Sequence, residues 1–384
     1  MLDVKGWSLV NLAGVADIIV SNVDKKTAAD EKSIKLCNYM DVFKNRYITS
    51  NLTFMKATAS EHEIRTYTLK KDDVVFTKDS ETAQDIAVCA LIEEDIKDLV
   101  CGYHLAIARP KSQKIYGTYL AEAINSSFVH KQFTRIANGI TRFGLVREDI
   151  NNIKLPLPPL PEQQKVADIL RVWDESIKIL TKLCDIKQQN YNIIARNIFS
   201  TQAKEEKWQA FKLSRVATVR KGKQLNRLDM KGGIYPVWNG GVTPSGFTDQ
   251  WNMEANTITI SEGGSCGFVN LCKENFWLGG HCYSVTNLTA NLNKYFLFFQ
   301  LKQNEPRIMR LKTGSGLPNI QKPSIDNYIV HIPPIEQQNR IANYLNSLRN
   351  ELEAYKKEFE LIKKQKQGLI QKLLTGEWRV QVDK

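Results

Sequence analysis

The sequence predicts an α/β (mixed α+β) fold laid out as an internal repeat. Two globular regions of variable content alternate with two long coiled-coil helices. Three observations predict this. Residues 138–170 match 313–345 without a gap at an offset of 175. A long apolar stripe follows each matched segment. The chain, at 384 residues, is longer than one core usually grows, about 250–300 residues.

The matched segments fix the order of parts. Gly139 falls on Gly314, Ile150 on Ile325, Leu157-Pro158-Pro159 on Ile332-Pro333-Pro334, and Gln163 on Gln338. The Pro-rich segments 156–161 and 333–334 precede each helix, and proline disfavours helix before it, so the helices should begin just after these segments. Val166, Leu170, Trp173, Ile177 and Leu180 then alternate steps of four and three, as do Ile341, Leu345, Leu348, Leu352 and Tyr355. Such a 3.5-residue period marks a coiled-coil seam. Each stripe is broken once by a lysine, Lys187 or Lys366. There the stem can snorkel, or the break can help fix register. Thr375-Gly376 suits a glycine cap at the end of the second helix.

A further match, Trp7-x4-Leu12-x2-Val15-Ala16 on Trp208-x4-Leu213-x2-Val216-Ala217, has an offset of 201. The first globular interior is therefore about 26 residues longer, the difference between the two offsets. The interiors themselves do not align. Thr257–Ser261 alternates like a strand, and glycine turns follow at 240–241, 263–264 and 279–280. Residues 295–301 form a dense apolar run that predicts a buried helix, with 116–125 as its counterpart.

Composition narrows the function. The formal charge is +12, from 53 basic and 41 acidic residues, which suggests a polyanion partner. The excess is uneven. Residues 1–155 hold 21 basic and 20 acidic side chains, whereas 200–330 hold 16 and 9. The densest basic stretch is 212–231, suited to neutralising phosphates. A solvated basic face is the alternative. Seven cysteines in a chain this long argue for a reducing, cytoplasmic setting rather than a disulfide scaffold. No run of about 18 apolar residues suggests a membrane helix.

The chain resembles the specificity (S) subunit of type I restriction-modification systems. The resemblance rests on GITRFG…PLPPLPEQQ and GSGLPNI…IPPIEQQNRIA, the two equidistant helices, and the Leu-Leu-Thr-Gly-Glu-Trp-Arg-Val passage at 373–380. It implies two target-recognition domains, each reading one half of a split, asymmetric DNA site. It implies antiparallel packing of the two helices and a pseudo-twofold repeat. The expected divisions are 1–155 (first target-recognition domain), 156–200 (first spacer helix), 201–330 (second domain), 331–376 (second spacer helix) and 377–384 (tail). Implied partners are double-stranded DNA, two methyltransferase (M) subunits and restriction (R) subunits. No catalytic centre and no cofactor is expected in this subunit. S-adenosylmethionine, ATP and Mg²⁺ belong to the partners. A helix from 166 to 198 would span about 50 Å, roughly one and a half turns of DNA.

The residues agree with a non-catalytic role. No Asn/Asp-Pro-Pro-Tyr/Phe motif for a flipped base is present. Lys312-Thr313-Gly314-Ser315-Gly316 resembles a phosphate loop, but Leu317 stands where lysine is needed. Two alternatives stay open: a coiled-coil scaffold that reads no sequence, and a self-contained methyltransferase or nuclease fused to a recognition module.

Expected DNA contacts in the second domain are Arg220, Lys221, Lys223, Gln224, Asn226 and Arg227, with Ser315 in a turn at the DNA face. Arg and Gln can bond bidentately to purine edges. Asn239, Ser261, Glu262, Ser265, His281 and Tyr283 lie beside the glycine turns. In the first domain the candidates are Lys25, Lys26, Lys35, Asn38, Tyr39, Lys44, Arg46 and Arg142. Cys266-x5-Cys272-x8-His281-Cys282 is spaced poorly for zinc, so buried thiols and no metal are expected. His62, His104, His130 and His331 show no convergent partners along the chain.

Overall fold

The computed structural model describes residues 4–230, 232–314 and 316–382. The chain divides into two compact units. Unit 1 contains residues 1–179 and 359–384, and unit 2 contains 180–358. Each unit thus combines one globular region with one half of each long helix. The first long helix is Leu160–Arg196 and the second is Ile335–Leu374.

In unit 1, β1 (Ser8–Asn11), β2 (Ala16–Val20), β3 (Val74–Thr77), β4 (Cys89–Ile92), β5 (Leu105–Pro110) and β6 (Lys154–Leu157) form the frame. β1 pairs antiparallel with β6, Ser8 opposite Leu157. The main sheet runs β2-β5-β3-β4, with Tyr47–Ile48 added at the β4 edge. β3 and β4 are buried along their whole length, which suits a sheet covered on both faces. Helix α1 (Gly117–Asn125) packs over it through Tyr119, Leu120 and Ile124.

Unit 2 repeats the plan with β7 (Gln209–Lys212), β8 (Thr218–Lys221), β9 (Thr257–Ser261), β10 (Val269–Cys272), β11 (Cys282–Thr286) and β12 (Ile329–Ile332). β7 pairs with β12, Gln209 opposite Ile332. The sheet order β8-β11-β9-β10 matches unit 1 strand for strand. Helix α2 (Lys294–Gln303) is the buried helix expected there.

Pairing registers place the interiors that sequence comparison left unaligned. Thr77 faces Leu105 in one sheet and Ser261 faces Cys282 in the other. The offset is therefore 201 at β2/β8, 184 at β3/β9, 180 at β4/β10 and 177 at β5/β11. Most of the 26-residue difference lies between β2 and β3. There unit 1 carries two strands, Lys32–Cys37 and Met55–Ala59, that form an extra three-stranded sheet with Leu99–Cys101, from between β4 and β5, over a small core of its own. Unit 2 instead inserts a sheet of Tyr235–Trp238, Gly246–Thr248 and Trp277–Leu278.

One glutamine per unit joins helix to sheet. Gln163, fully buried, donates to the carbonyls of Lys114 (3.0 Å) and Pro158 (2.9 Å) and accepts from Tyr116 N–H (3.0 Å). Gln338 does the same with Asn291 (3.0 Å), Pro333 (2.8 Å) and Asn293 N–H (2.8 Å). The repeated glutamine of the sequence is thus a clip. It satisfies backbone groups that burial would otherwise leave unpaired.

The seam divides its duties. Val166 and Leu170 are buried within the globular core of unit 1, and Ile341 and Leu345 within that of unit 2. Leu352 is also buried, while Trp173, Ile177, Leu180, Leu348 and Tyr355 are half-buried. The first turns of each helix thus serve the sheet domain. The last turns do so as well, Ala195 in the core of unit 2 and Leu373 and Leu374 in that of unit 1, and the middle turns meet the partner helix. Within unit 1 Lys366 pairs with Asp174, and within unit 2 Lys187 pairs with Glu351 at 2.6 Å. In unit 2 Lys356 bonds Gln188, whereas Arg349, about two turns earlier on the second helix, lies beside Tyr191, further along the first, so the helix segments there run antiparallel.

Lys366 does not snorkel. It is buried and its ammonium points to Asp174, which also accepts from Arg46 Nε (3.0 Å) and Tyr47 Oη (3.0 Å). Burial and the nearby Arg46 hold the Lys366 ammonium below its ordinary range, against the pull of Asp174. The matching positions of unit 2 are chemically different. Arg349 stands in place of Asp174 and lies over the rings of Phe298 and Phe299, 5.4 Å from each.

The segment after the second helix is docked within unit 1. Arg379 binds buried Glu162 (Nε 3.1 Å) and the Lys5 carbonyl (2.7 Å), and Trp7 Nε1 donates to the same carboxylate (3.0 Å). Both helix-domain boundaries also shift, because β6 and β12 continue past 155 and 330 to complete their sheets.

Candidate nucleic-acid interface

The loops at one end of each common sheet gather most of the expected contact residues. In unit 2, β8 ends on exposed Arg220 and Lys221, and the next loop exposes Lys223, Gln224 and Asn226. This loop is held against its neighbours. Trp277 Nε1 donates to the Lys223 carbonyl (3.0 Å), and Lys221 binds Glu262 at 2.7 Å. A Cβ on Gly222 would sit 2.3 Å from the Gly279 carbonyl, so the two backbones touch there. Ser315 and the side chain of Arg227 lie outside the described residues.

Thr313 and Asn319 close a turn with reciprocal bonds (2.8 and 3.0 Å). Its counterpart in unit 1 is closed by Asn138 and Gly144 (3.0 and 2.8 Å). Ile320 N–H then bonds the Glu262 carbonyl, and Leu145 N–H bonds that of Lys78, each at 2.9 Å. Both repeat turns are therefore stitched to the end of the central sheet, beside the loops just described.

In unit 1, Lys25, Tyr39 and Arg142 line a cleft of about 470 Å³ together with Asp79 and His104. Asn38 lines an adjoining cleft of about 220 Å³ that shares Lys25, Tyr39 and His104. Tyr39 stacks on Phe43 at 5.4 Å. Partial burial, with Asp85 and Glu81 nearby, raises its hydroxyl pKa. Lys26 is exposed and pairs loosely with Asp24 at 3.8 Å. Lys35 and Lys44 are exposed but line neither cleft.

Arg46 is elsewhere. Its guanidinium binds Glu122 and Asp174, and both carboxylates raise its pKa despite burial. Its charge is engaged inside unit 1 and is not presented to a polyanion. An isolated Arg in a basic stretch gives no sign of two acids brought from 76 and 128 residues away. Tyr283 and Ser261 are also buried. Tyr283 Oη bonds Glu262 (2.9 Å) and the Ile320 carbonyl (3.0 Å), a packing and positioning task.

His104, which has no partner along the chain, has one in space: Nδ1 lies 3.1 Å from Asp79 Oδ2. All seven cysteines are free, and six are buried. Burial pushes the Cys272 thiol up to about 12 and Cys282 up to about 11. Among the described residues no His/Cys/Asp/Glu cluster could hold a metal ion, and no helix is long and apolar enough to cross a membrane.

Two globular units with one sheet plan, joined to long helices and tipped by unlike loops, define a modular recognition protein rather than a single-site enzyme. The family described as the type I restriction modification DNA specificity domain matches residues 4–188 and again 205–363, and the chain belongs to that family. It is 22% identical over 409 residues to a Methanocaldococcus jannaschii protein named "Putative type I restriction enzyme MjaX specificity subunit", covering 97% of this chain and 94% of that one. Its fold resembles the crystal structure of a type I restriction-modification system S subunit from M. genitalium, with TM-score 0.67, 18% identity, and 97% and 96% of the two chains covered. It also resembles the HsdS subunit from Thermoanaerobacter tengcongensis, with TM-score 0.51, 17% identity, and 97% and 98% covered.

Proposed function

We propose that this chain reads a bipartite, asymmetric DNA site, one part per unit, and scaffolds two M subunits and the R subunits around it. One observation carries the reading. The two units share a sheet, a glutamine clip and a closed turn, yet differ in the loops and small sheets inserted beside it. A common frame with unlike tips suits one task performed on two different base sequences. Phosphate attraction falls mainly to unit 2, whose loops carry Arg220, Lys221 and Lys223. Unit 1 works with a local cluster, Lys25 and Arg142 around the cleft.

Docking of the M subunits is supported by a second apolar stripe on the first long helix, facing away from the seam. In unit 1 Val172 and Ile179 are 62% and 65% exposed; in unit 2 Ile186 and Ile193 are each 54% exposed. Their strict seven-residue spacing matches a helix partner. S-adenosylmethionine, ATP and Mg²⁺ chemistry then resides in the partners, and the complex works in the cytoplasm.

Methylome sequencing of the host with and without this gene tests the proposal. One split motif should vanish with the gene. Loss of no motif, or of an unsplit one, refutes it.

A further inference from the structure

Outside the frame motifs, one partly or fully exposed histidine occupies the same structural position in both units. It is the histidine just before the central strand. His104 precedes β5 and His281 precedes β11. Backbone bonding confirms the equivalence. Lys78 N–H donates to the His104 carbonyl (3.0 Å), and Glu262 N–H donates to the His281 carbonyl (2.8 Å).

Each histidine faces a carboxylate that a lysine holds. His104 Nδ1 lies 3.1 Å from Asp79 Oδ2, and Lys78 Nζ lies 2.6 Å from the same oxygen. His281 Nδ1 lies 4.0 Å from Glu262 Oε2, and Lys221 Nζ lies 2.7 Å from that oxygen. Only the histidine keeps its position. The acid and lysine come from different places in the two units: Asp79 and Lys78 after β3, Glu262 after β9 and Lys221 at the end of β8. The same trio thus arises from unlike neighbours.

The surroundings point outward. The histidine side chains are 41% and 60% exposed, whereas Glu262 is 8% and Asp79 30% exposed. The closed repeat turns bond directly to the carbonyls of Lys78 and Glu262, beside each ring. Lys25 and Arg142 line the same cleft as His104. At His104 the Asp79 carboxylate, within hydrogen-bond distance of Nδ1, fixes the ring and leaves Nε2 as its free polar edge; at His281 the Glu262 carboxylate stands beside Nδ1 at 4.0 Å, outside hydrogen-bond reach. Among the described residues no protein hydrogen bond is recorded at either Nε2.

We propose that His104 and His281 are base-reading residues, one for each part of the DNA site, with the Asp79–Lys78 pair as the positioning group of His104. Each ring presents Nε2 to one base edge in the major groove. A pre-oriented ring can discriminate where a freely rotating surface side chain cannot. The inference rests on the DNA-reading function proposed above.

The test uses His104→Ala and His281→Ala in the full chain, each assembled with its partners in the host, and maps methylated motifs genome-wide. His104→Ala should relax one base position in one part of the motif, with methylation of other-base sites rising about ten-fold. His281→Ala should do so only in the other part. Unchanged strictness in both variants, or relaxation in both parts by one variant, overturns the inference. If a variant methylates nothing, its complex is compared on specific and random duplexes and by thermal unfolding. A specific-over-random ratio cut about ten-fold with an unmoved transition supports the assignment. A lowered transition or an intact ratio overturns it. A wild-type host with no split motif would refute the proposed function instead, and is thereby distinguished.

Discussion

Replacing Gln163 by Ala is the sharpest test of how each unit is held together. The side chain is fully buried and makes three hydrogen bonds, to the Lys114 and Pro158 carbonyls and from Tyr116 N–H. Truncation strands one amide and two carbonyl groups. An unsatisfied buried polar group costs about 1–3 kcal/mol. The carbonyls keep a second lone pair, and alanine regains a few tenths in helix propensity. A net loss of about 3 kcal/mol follows, which in a unit of this size lowers Tm by roughly 6–12 °C. Calorimetry should show the unit 1 transition falling while unit 2 holds, and hydrogen exchange at Tyr116 should accelerate. Gln338→Ala should produce the mirror result in unit 2. Gln164→Ala is the control, because its exposed amide reaches only Asp168 one turn on. If Gln163→Ala moves the transition no more than Gln164→Ala, the clip carries no such energy and the reasoning fails.

Lys366→Ala should destabilise unit 1 by about 3–5 kcal/mol, read by urea unfolding, because half-buried Asp174 and buried Glu122 would share Arg46 as their one remaining cation; a change under about 1 kcal/mol would show the cluster to be dispensable. Glu206 has its pKa lowered by hydrogen bonds from Gln337, Trp208 and Gln202. Its contribution is therefore present above its ordinary value of 4.5 and lost as pH falls through the lower folded value. Glu206→Gln should flatten the acid limb of unit 2 stability below that pH, and an unaltered limb would count against the assignment. Ile179→Lys and Ile186→Lys should each weaken co-purification with an M subunit without lowering the Tm of the free chain, since both side chains are more than half exposed; undiminished co-purification would place the docking face elsewhere.

The sequence by itself determined the frame. Offsets of 175 and 201 in a few motifs were enough to place both long helices and both repeat turns, because these elements repeat the same residues for the same local reasons, whereas the β1/β6 and β7/β12 pairings that flank them came from the structure. Proline placed the helix starts, a 3.5-residue period placed the seam, and Gly376, at φ +72°, ended the second helix. Tertiary structure alone decided what the interiors share. The common sheet survives with almost no common residues, because a buried strand asks only for apolar side chains of suitable size, and register is fixed by hydrogen bonding across distant strands. The same holds for charge. Arg46 reads like a phosphate contact in the sequence but is neutralised by Glu122 and Asp174, whereas His104 reads as isolated but meets Asp79. Electrostatic roles depend on separations of a few ångströms between residues far apart in the chain. Local composition carries no trace of those distances, so only the folded units could assign them.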